Sequence, residues 1–583
     1  MKTPPPLGRR PVTSDRPRSF FVDAAVGACL LAVFLAVLAT GEYWMGKPLP
    51  ESNISHSVSA LPLYAFYSVM RIGVAYLLSL VFAIGYGYVA AYNKRAEAWM
   101  IALLDILQSI PVLSFLPGVM LAMMALIPGH QMGIELGSIL LIFTGQVWNM
   151  AFSFYSSLKS IPKEMIEASS IYRYSAWQRF WQLELPFSAI GLIWNSIMSV
   201  AGGWFTLIVC EFFQFGSRNF RLPGLGSYLQ SAAFSDPIDV HALIWGILAL
   251  VLIIVASDQL IWRPLIAWSE KFKFEQVESS RRVTSPILTL LQRPSAVLHL
   301  PQRAARACNE RIYKGLAQAK SSRVVHALDS EPKRISLLTA GLMGFFATLF
   351  VAWGGFHAYH LLQNTTWADI RLLLLSAGAT YLRVNVSLLL AALWTIPVGV
   401  AIGSNPRIAP ILQPITQLIA SMPASAFFPV MMMLMVRWGI GLGYGSVALM
   451  LLGTQWYVLF NVIAGAMAIP GDLKEAATLY RFTLWQRWTR LILPGIFPYL
   501  VTGMVTASGG AWNASIIAEY GLLGSSTYQT VGLGAQITAA LSANNLSMLL
   551  LATILMATIV VTTNRMVWRK LYRLAETRYK LEG

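Results

Sequence analysis

The sequence predicts an all-α polytopic membrane protein made of two parallel repeats of about six transmembrane helices each, about 12 spans in all. Hydrophobic residues make up 56% of the 583 residues and charged ones only 12%, with a mean hydropathy of +0.59. That balance excludes an ordinary soluble globular chain. Apolar runs of about 20 residues, enough to cross a bilayer, recur along the chain. One polar stretch is also carried twice: Pro162 to Arg173, running on to Leu185-Pro186, and Pro470 to Arg481, running on to Leu493-Pro494, always 308 positions apart. Trp177-Gln178-Arg179 and Trp485-Gln486-Arg487 keep the same offset, the mark of an internal duplication.

Taken in order, residues 1–18 are Pro-rich, with Lys2, Arg9, Arg10, Arg16 and Arg18 against Asp15, and read as a disordered cytoplasmic tail. Residues 19–262 form a first membrane domain, with spans expected near 20–42, 66–91, 101–126, 134–156, 187–210 and 240–262. Asn93-Lys94-Arg95 and the first copy of the polar stretch then fall inside, while 47–59 and 216–239 fall outside. Residues 263–334 hold fourteen Lys or Arg and six acids and read as a basic cytoplasmic linker, a tether or a surface helix carrying Arg281, Arg282, Arg303, Arg306 and Arg311. Its Gly315 to Ser321 segment misses a phosphate-binding loop by one glycine and a preceding strand, so no nucleotide site is read there.

The second membrane domain, 335–568, repeats the first, with spans near 335–354, 378–403, 411–436, 445–468, 496–518 and 546–567, and 569–583 returns as a cytoplasmic tail. Arg71 matches Arg383 and Pro111 matches Pro423 at offset 312, whereas Trp204, Glu211 and Gly224-Leu-Gly226 match Trp512, Glu519 and Gly532-Leu-Gly534 at offset 308. Four extra residues therefore lie in the first half around 127–137. An even number of spans per half makes the halves parallel, related by an axis normal to the membrane.

The doubled stretch resembles the EAA loop of ATP-binding-cassette (ABC) importer permeases, in which Glu-Ala-Ala precedes a Gly and a closing Leu-Pro. Here Glu475-Ala476-Ala477 and Glu167-Ala168-Ser169 stand, and the Gly is replaced by Arg173 and Arg481. Together with Arg71 or Arg383, Pro111 or Pro423, and Glu211 or Glu519 followed by Gly-Leu-Gly, the pattern is similar to the nitrate/sulfonate/taurine branch, with two permease halves fused in one chain. The resemblance implies a type I importer fold in the bacterial inner membrane, both termini cytoplasmic. It implies two cytoplasmic ABC ATPase subunits, an external substrate-binding protein and ATP-driven alternating access that moves a small anion. On this reading the loops are helix-turn-helices that dock on the ATPases, with Asp472 as an N-cap.

The residues allow two readings at several sites. Arg173, Arg179, Arg481 and Arg487 pair with ATPase acids or merely mark the inner membrane surface. Glu211 and Glu519 form ion pairs with Arg71 and Arg383 or contact substrate, and Trp204, Trp512 and Asn513 line the pathway or pack. Asn149 and Asn195 serve a lopsided cavity or bond neighbouring helices. An ion-gradient-driven secondary transporter is the rival class, but it calls for mid-membrane carboxylates that the spans scarcely offer. Three scattered cysteines give neither a disulfide framework nor a metal site, and no catalytic residue, cofactor site or nucleic-acid-binding surface is readable.

Overall fold

The computed structural model describes residues 54–272, 363 and 365–578, apart from positions 129, 216, 217, 406 and 525. The expected spans near 20–42 and 335–354, the N-terminal tail and most of the linker with its near-miss loop lie outside the described residues. Eight described helices are long and apolar enough to cross a membrane. In the first half α1 (Leu61–Tyr92) is followed by α2 (Lys94–Ser109), a 3-10 turn at Val112–Phe115, α3 (Leu116–Leu126) and α4 (Gln131–Lys159). The small residues Ala75, Ser79, Ala83 and Gly87 recur every fourth position on the buried face of α1. Leu77, Val81 and Leu78 are exposed instead. That inversion suits a helix that packs closely through small side chains and presents its large apolar ones to lipid.

The spans expected near 101–126 and 411–436 are corrected: each is two shorter helices. Pro111 and Pro423 stop the first of the two, since proline offers no N–H and disfavours helix in the residue before it. Each broken pair still makes one crossing. Arg71 meets Glu135, Ser79 donates to the Phe143 carbonyl and Gly87 abuts Ala151, so α1 and α4 run parallel and the chain must return between them. The second half repeats this with α11 (Trp367–Gly403), the pair α12 (Ala409–Ala420) and α13 (Ala424–Arg437), and α14 (Leu442–Ala468).

A short helix, α5 (Lys163–Ile171), and one turn, α6 (Ala176–Arg179), then lead through a π-turn into α7 (Leu185–Cys210), just as α15 (Gly471–Leu479) and α16 (Leu484–Arg487) lead into α17 (Leu493–Ala518). Each long helix ends at a two-stranded hairpin, β1 (Phe212–Phe215) with β2 (Arg218–Arg221) and β3 (Tyr520–Leu523) with β4 (Ser526–Gln529), small exceptions to the all-α expectation. Short α8 (Leu225–Phe234) and α18 (Leu533–Ser542) follow, then α9 (Val240–Ser257) and α19 (Leu546–Thr563). These last two continue through π-turns into α10 (Arg263–Ser269) and α20 (Arg569–Arg578), so the expected boundaries at 263 and 568 fall inside continuous helices.

The halves interlock by trading their broken spans. Ala426 of α13 packs in the core of the first half with Ile208 and Leu229. Val112, Leu113 and Leu116 join the core of the second half with Trp512 and Ile516. Ser425 donates to the Phe205 carbonyl and Thr553 to the Ser114 carbonyl, both at 3.2 Å across the junction.

Candidate functional site

At one end of the molecule the two EAA-like loops have the same backbone. Pro162 and Pro470 occupy the N-cap positions of α5 and α15. Asp472 is therefore not the cap expected of it; it stands in the first turn, where a carboxylate faces the positive helix end. Each helix closes in a Schellman turn: Tyr174 N–H reaches Ser169 O at 2.9 Å and Arg173 N–H reaches Ser170 O at 3.0 Å, with Phe482 to Ala477 and Arg481 to Thr478, each at 3.0 Å, in the second copy. The residue this motif holds in the left-handed region is Arg173, φ 51°, and Arg481, φ 48°. The loops thus keep the glycine geometry with a non-glycine side chain, at about 1–2 kcal/mol each. The next helix starts from reciprocal capping boxes, Ser175 with Gln178 and Thr483 with Gln486.

Glu167, Glu475, Arg173 and Arg481 are exposed, Ala168 and Ala476 half-buried, and Ser169 and Ala477 buried against the loop's own body. The turns raise apolar side chains into the open: Ile171 and Tyr172 are 79% and 75% exposed, Leu479 and Tyr480 83% and 78%. Replacing Arg173 or Arg481 with Gly should relieve the strain and stabilise the loop by about 1 kcal/mol; slower amide exchange at Tyr174 or Phe482 would register the gain. The two later arginines differ. Arg179 Nε donates to Glu184 Oε1 at 2.7 Å, its guanidinium lies 5.1 Å from the Tyr92 ring centre, and the Tyr92 hydroxyl donates to the same carboxylate. Among the described residues Arg487 reaches only the Thr478 hydroxyl, at 3.4 Å.

The opposite end carries a charge cluster in each half. Glu211, fully buried, ends α7 and accepts from Arg71 Nη1 at 2.7 Å, Ser68 Oγ at 2.6 Å and the Gly226 N–H at 2.7 Å, so it also caps α8. A Cβ on Gly224 would collide with its carboxylate, which explains a glycine there. Glu519 repeats the arrangement with Arg383 Nη1 at 2.9 Å, Thr380 Oγ1 at 2.8 Å and the Gly534 N–H at 2.9 Å. The ion-pair reading of these residues therefore holds. Sequence reasoning missed Glu135 of α4, which takes Arg71 Nε and Nη2 at 2.6 Å each. In the second half Arg383 Nε meets the Gly443 carbonyl at 3.2 Å instead.

Between the halves, beside the hairpins, is a cavity of about 160 Å³ lined by both copies: Val209 and Gln230 from the first, Phe428, Ile517 and Thr538 from the second. No charged side chain lines it among the described residues. The expected pathway residues Trp204 and Trp512 do not reach it: at 4% and 1% exposure their rings fill the two cores, Trp512 tilted against Tyr381 with ring centres 6.4 Å apart. Glu211 and Glu519 are likewise sealed behind it, spent on helix capping. Asn513 lies one turn short of the lining residues Ile516 and Ile517, its Nδ2 on its own helix at Gly509 O, 3.3 Å, and its buried Oδ1 unpaired. Asn195 and Asn149 bond across helices, to Ser153 at 3.0 Å and Gln108 at 3.2 Å.

The pattern of one family, described as binding-protein-dependent transport system inner membrane component, matches residues 83–261 and again 395–573. The taurine transport system permease protein TauC of Escherichia coli is 32% identical over 143 residues, 24% of this chain and 50% of that protein. The bicarbonate transport system permease protein CmpB of Synechococcus elongatus is 26% identical over 189 residues, 32% of this chain and 65% of its own length. The nitrate import permease protein NrtB of Synechocystis sp. is 26% identical over 176 residues, 30% of this chain and 60% of its own. The chain thus spans half to just under two thirds of each of these relatives.

Proposed function

Because the chain belongs to the binding-protein-dependent transport system inner membrane component family, matched once in each half, we propose that it is the whole membrane-spanning part of an ABC importer. Two cytoplasmic ATPase subunits dock on the two loops, and an external binding protein delivers solute at the hairpin face. Both termini are cytoplasmic, in a bacterial inner membrane. ATP-driven closure of the ATPases moves the halves, which opens and shuts the space between them. The observation that carries this reading is the doubly built loop: a capped helix-turn-helix whose apolar tip stays exposed among the described residues, joined by one continuous helix to the inter-half cavity. Nothing favours an ion-gradient mechanism, since Glu135, Glu211 and Glu519 are held by Arg71 and Arg383.

The relatives are named for taurine, bicarbonate and nitrate, and a small anion is the corresponding cargo here. The uncharged, largely apolar lining favours an organic anion with a carbon body over a bare inorganic one, because desolvating a small ion against apolar walls is costly.

The test is the double variant Glu167→Arg with Glu475→Arg, which puts a cation in both docking helices. It should insert normally and lose ATP-dependent uptake in proteoliposomes by more than about tenfold, about 1.4 kcal/mol of coupling or more. Full uptake would remove the docking assignment. Asn513→Leu offers a check on the path. It deletes a buried unpaired acceptor, so folding stability should hold or rise by about 1 kcal/mol while uptake falls; unchanged uptake would return Asn513 to packing.

A further inference from the structure

We infer that the two docking loops are not equivalent, and that the second supplies the stronger electrostatic grip on an acidic-rimmed, apolar-floored cleft of an ATPase subunit. This rests on the docking reading above and adds the chemistry of the partner surface. From Pro162 to Pro186 three cations balance three carboxylates, whereas from Pro470 to Pro494 four cations face two. The difference comes from two substitutions: Gln182 corresponds to Arg490, and Glu184 to Ile492.

Glu184 decides the matter. It is fully buried and holds Arg179 at 2.7 Å with Tyr92 on the same oxygen, so the first loop's later cation is satisfied within its own half. Ile492 cannot do this for Arg487. Half-buried Arg487 has no carboxylate partner among the described residues, its buried Nε is unpaired, and its Nη2 reaches the Thr478 hydroxyl at 3.4 Å. Arg490 is exposed beside it.

The apolar part of the two surfaces differs in the same direction. Trp177 is 37% exposed and packs on Phe180 and Trp181, but its counterpart Trp485 is 76% exposed, next to Leu484 at 79%. A guanidinium with no carboxylate partner among the described residues, a second, exposed arginine and a bare indole on one short helix-turn-helix call for carboxylates around an apolar floor. The first loop offers its apolar tip and Arg173, and engages mainly by shape.

The experiment uses the full detergent-solubilised chain with its ATPase subunits and measures ATPase dissociation at rising NaCl. Ile492→Glu gives the second loop the masking carboxylate of the first. It should capture Arg487 internally and raise the dissociation constant at low salt about tenfold, with a flatter salt dependence. Glu184→Ile frees Arg179 and should do the opposite, strengthening binding at low salt and steepening the salt dependence. Thermal unfolding of the chain alone is recorded for both, and Ile492→Gln serves as an uncharged control. Weakening by Ile492→Gln as large as by Ile492→Glu, or no change with either Glu184→Ile or Ile492→Glu, overturns the inference. Absence of any ATPase from the wild-type complex would instead overturn the docking reading itself.

Discussion

Arg71→Met is expected to destabilise the folded chain by about 3–5 kcal/mol, because it strands two buried carboxylates at once. Arg71 and Glu135 have side-chain exposures of 1% and 0%, and Glu211 is equally sealed. Arg383→Met should cost less. It leaves a single carboxylate that still accepts from Thr380 and Gly534, and Arg383 itself is 14% exposed. Denaturant titration of the solubilised chain compares the two, and equal losses would show that Glu135 adds nothing to the first cluster. The triple change Arg71→Met, Glu135→Gln, Glu211→Gln should recover much of the loss, since the penalty comes from uncompensated charge more than from the missing attraction.

Gly534→Ala is expected to disrupt the second half as severely as an overpacked core, at about 1–3 kcal/mol or more. A Cβ there would sit 2.6 Å from the Ser515 carbonyl carbon and 2.8 Å from the Ile516 Cα, backbone atoms that cannot rotate away. Gly226→Ala should match it, with Ile208 Cα and O each 2.7 Å away. In both, α8 or α18 must withdraw from the long helix and pull its N-terminal N–H off the glutamate. The loss should appear as reduced thermal stability together with faster amide exchange in the affected half only. Stability equal to wild type would mean that this close approach is not required.

The duplication, the two repeated polar loops and the Arg71–Glu211 and Arg383–Glu519 pairs were legible because each is carried by local pattern or by repetition at fixed offset. Glu135 was not. It lies just after the four-residue insertion where the repeat register changes, and its counterpart at offset 308 is Gly443, so comparing halves gave no signal. The available clue was simply a carboxylate inside an apolar run. The breaks at Pro111 and Pro423 were visible as motifs, yet hydropathy alone reads through them, because both half-helices are apolar. Whether Trp204 and Trp512 pack or line a path depends on what the other half places against them, which no single stretch of sequence specifies. The left-handed turns at Arg173 and Arg481 were hidden for a different reason: the capping hydrogen bonds on either side impose the conformation on a residue that does not prefer it.

The continuity of α6, its π-turn and α7 makes each half a lever. The 35 residues from Ala176 to Cys210 form one rod, about 50 Å long at 1.5 Å per residue. The exposed tip of the EAA-like loop is at one end, and at the other a glutamate is clamped by arginine and by the start of the next helix. A push at the tip would meet a buried ionic clamp at the far end and would be passed on to α1, α4 and α8, whereas in the second half Arg383 holds one carboxylate where Arg71 holds two, and that joint would be the looser one. A machine built from one stiff arm and one softer arm would be expected to tilt unevenly, with the second half swinging further for the same stroke.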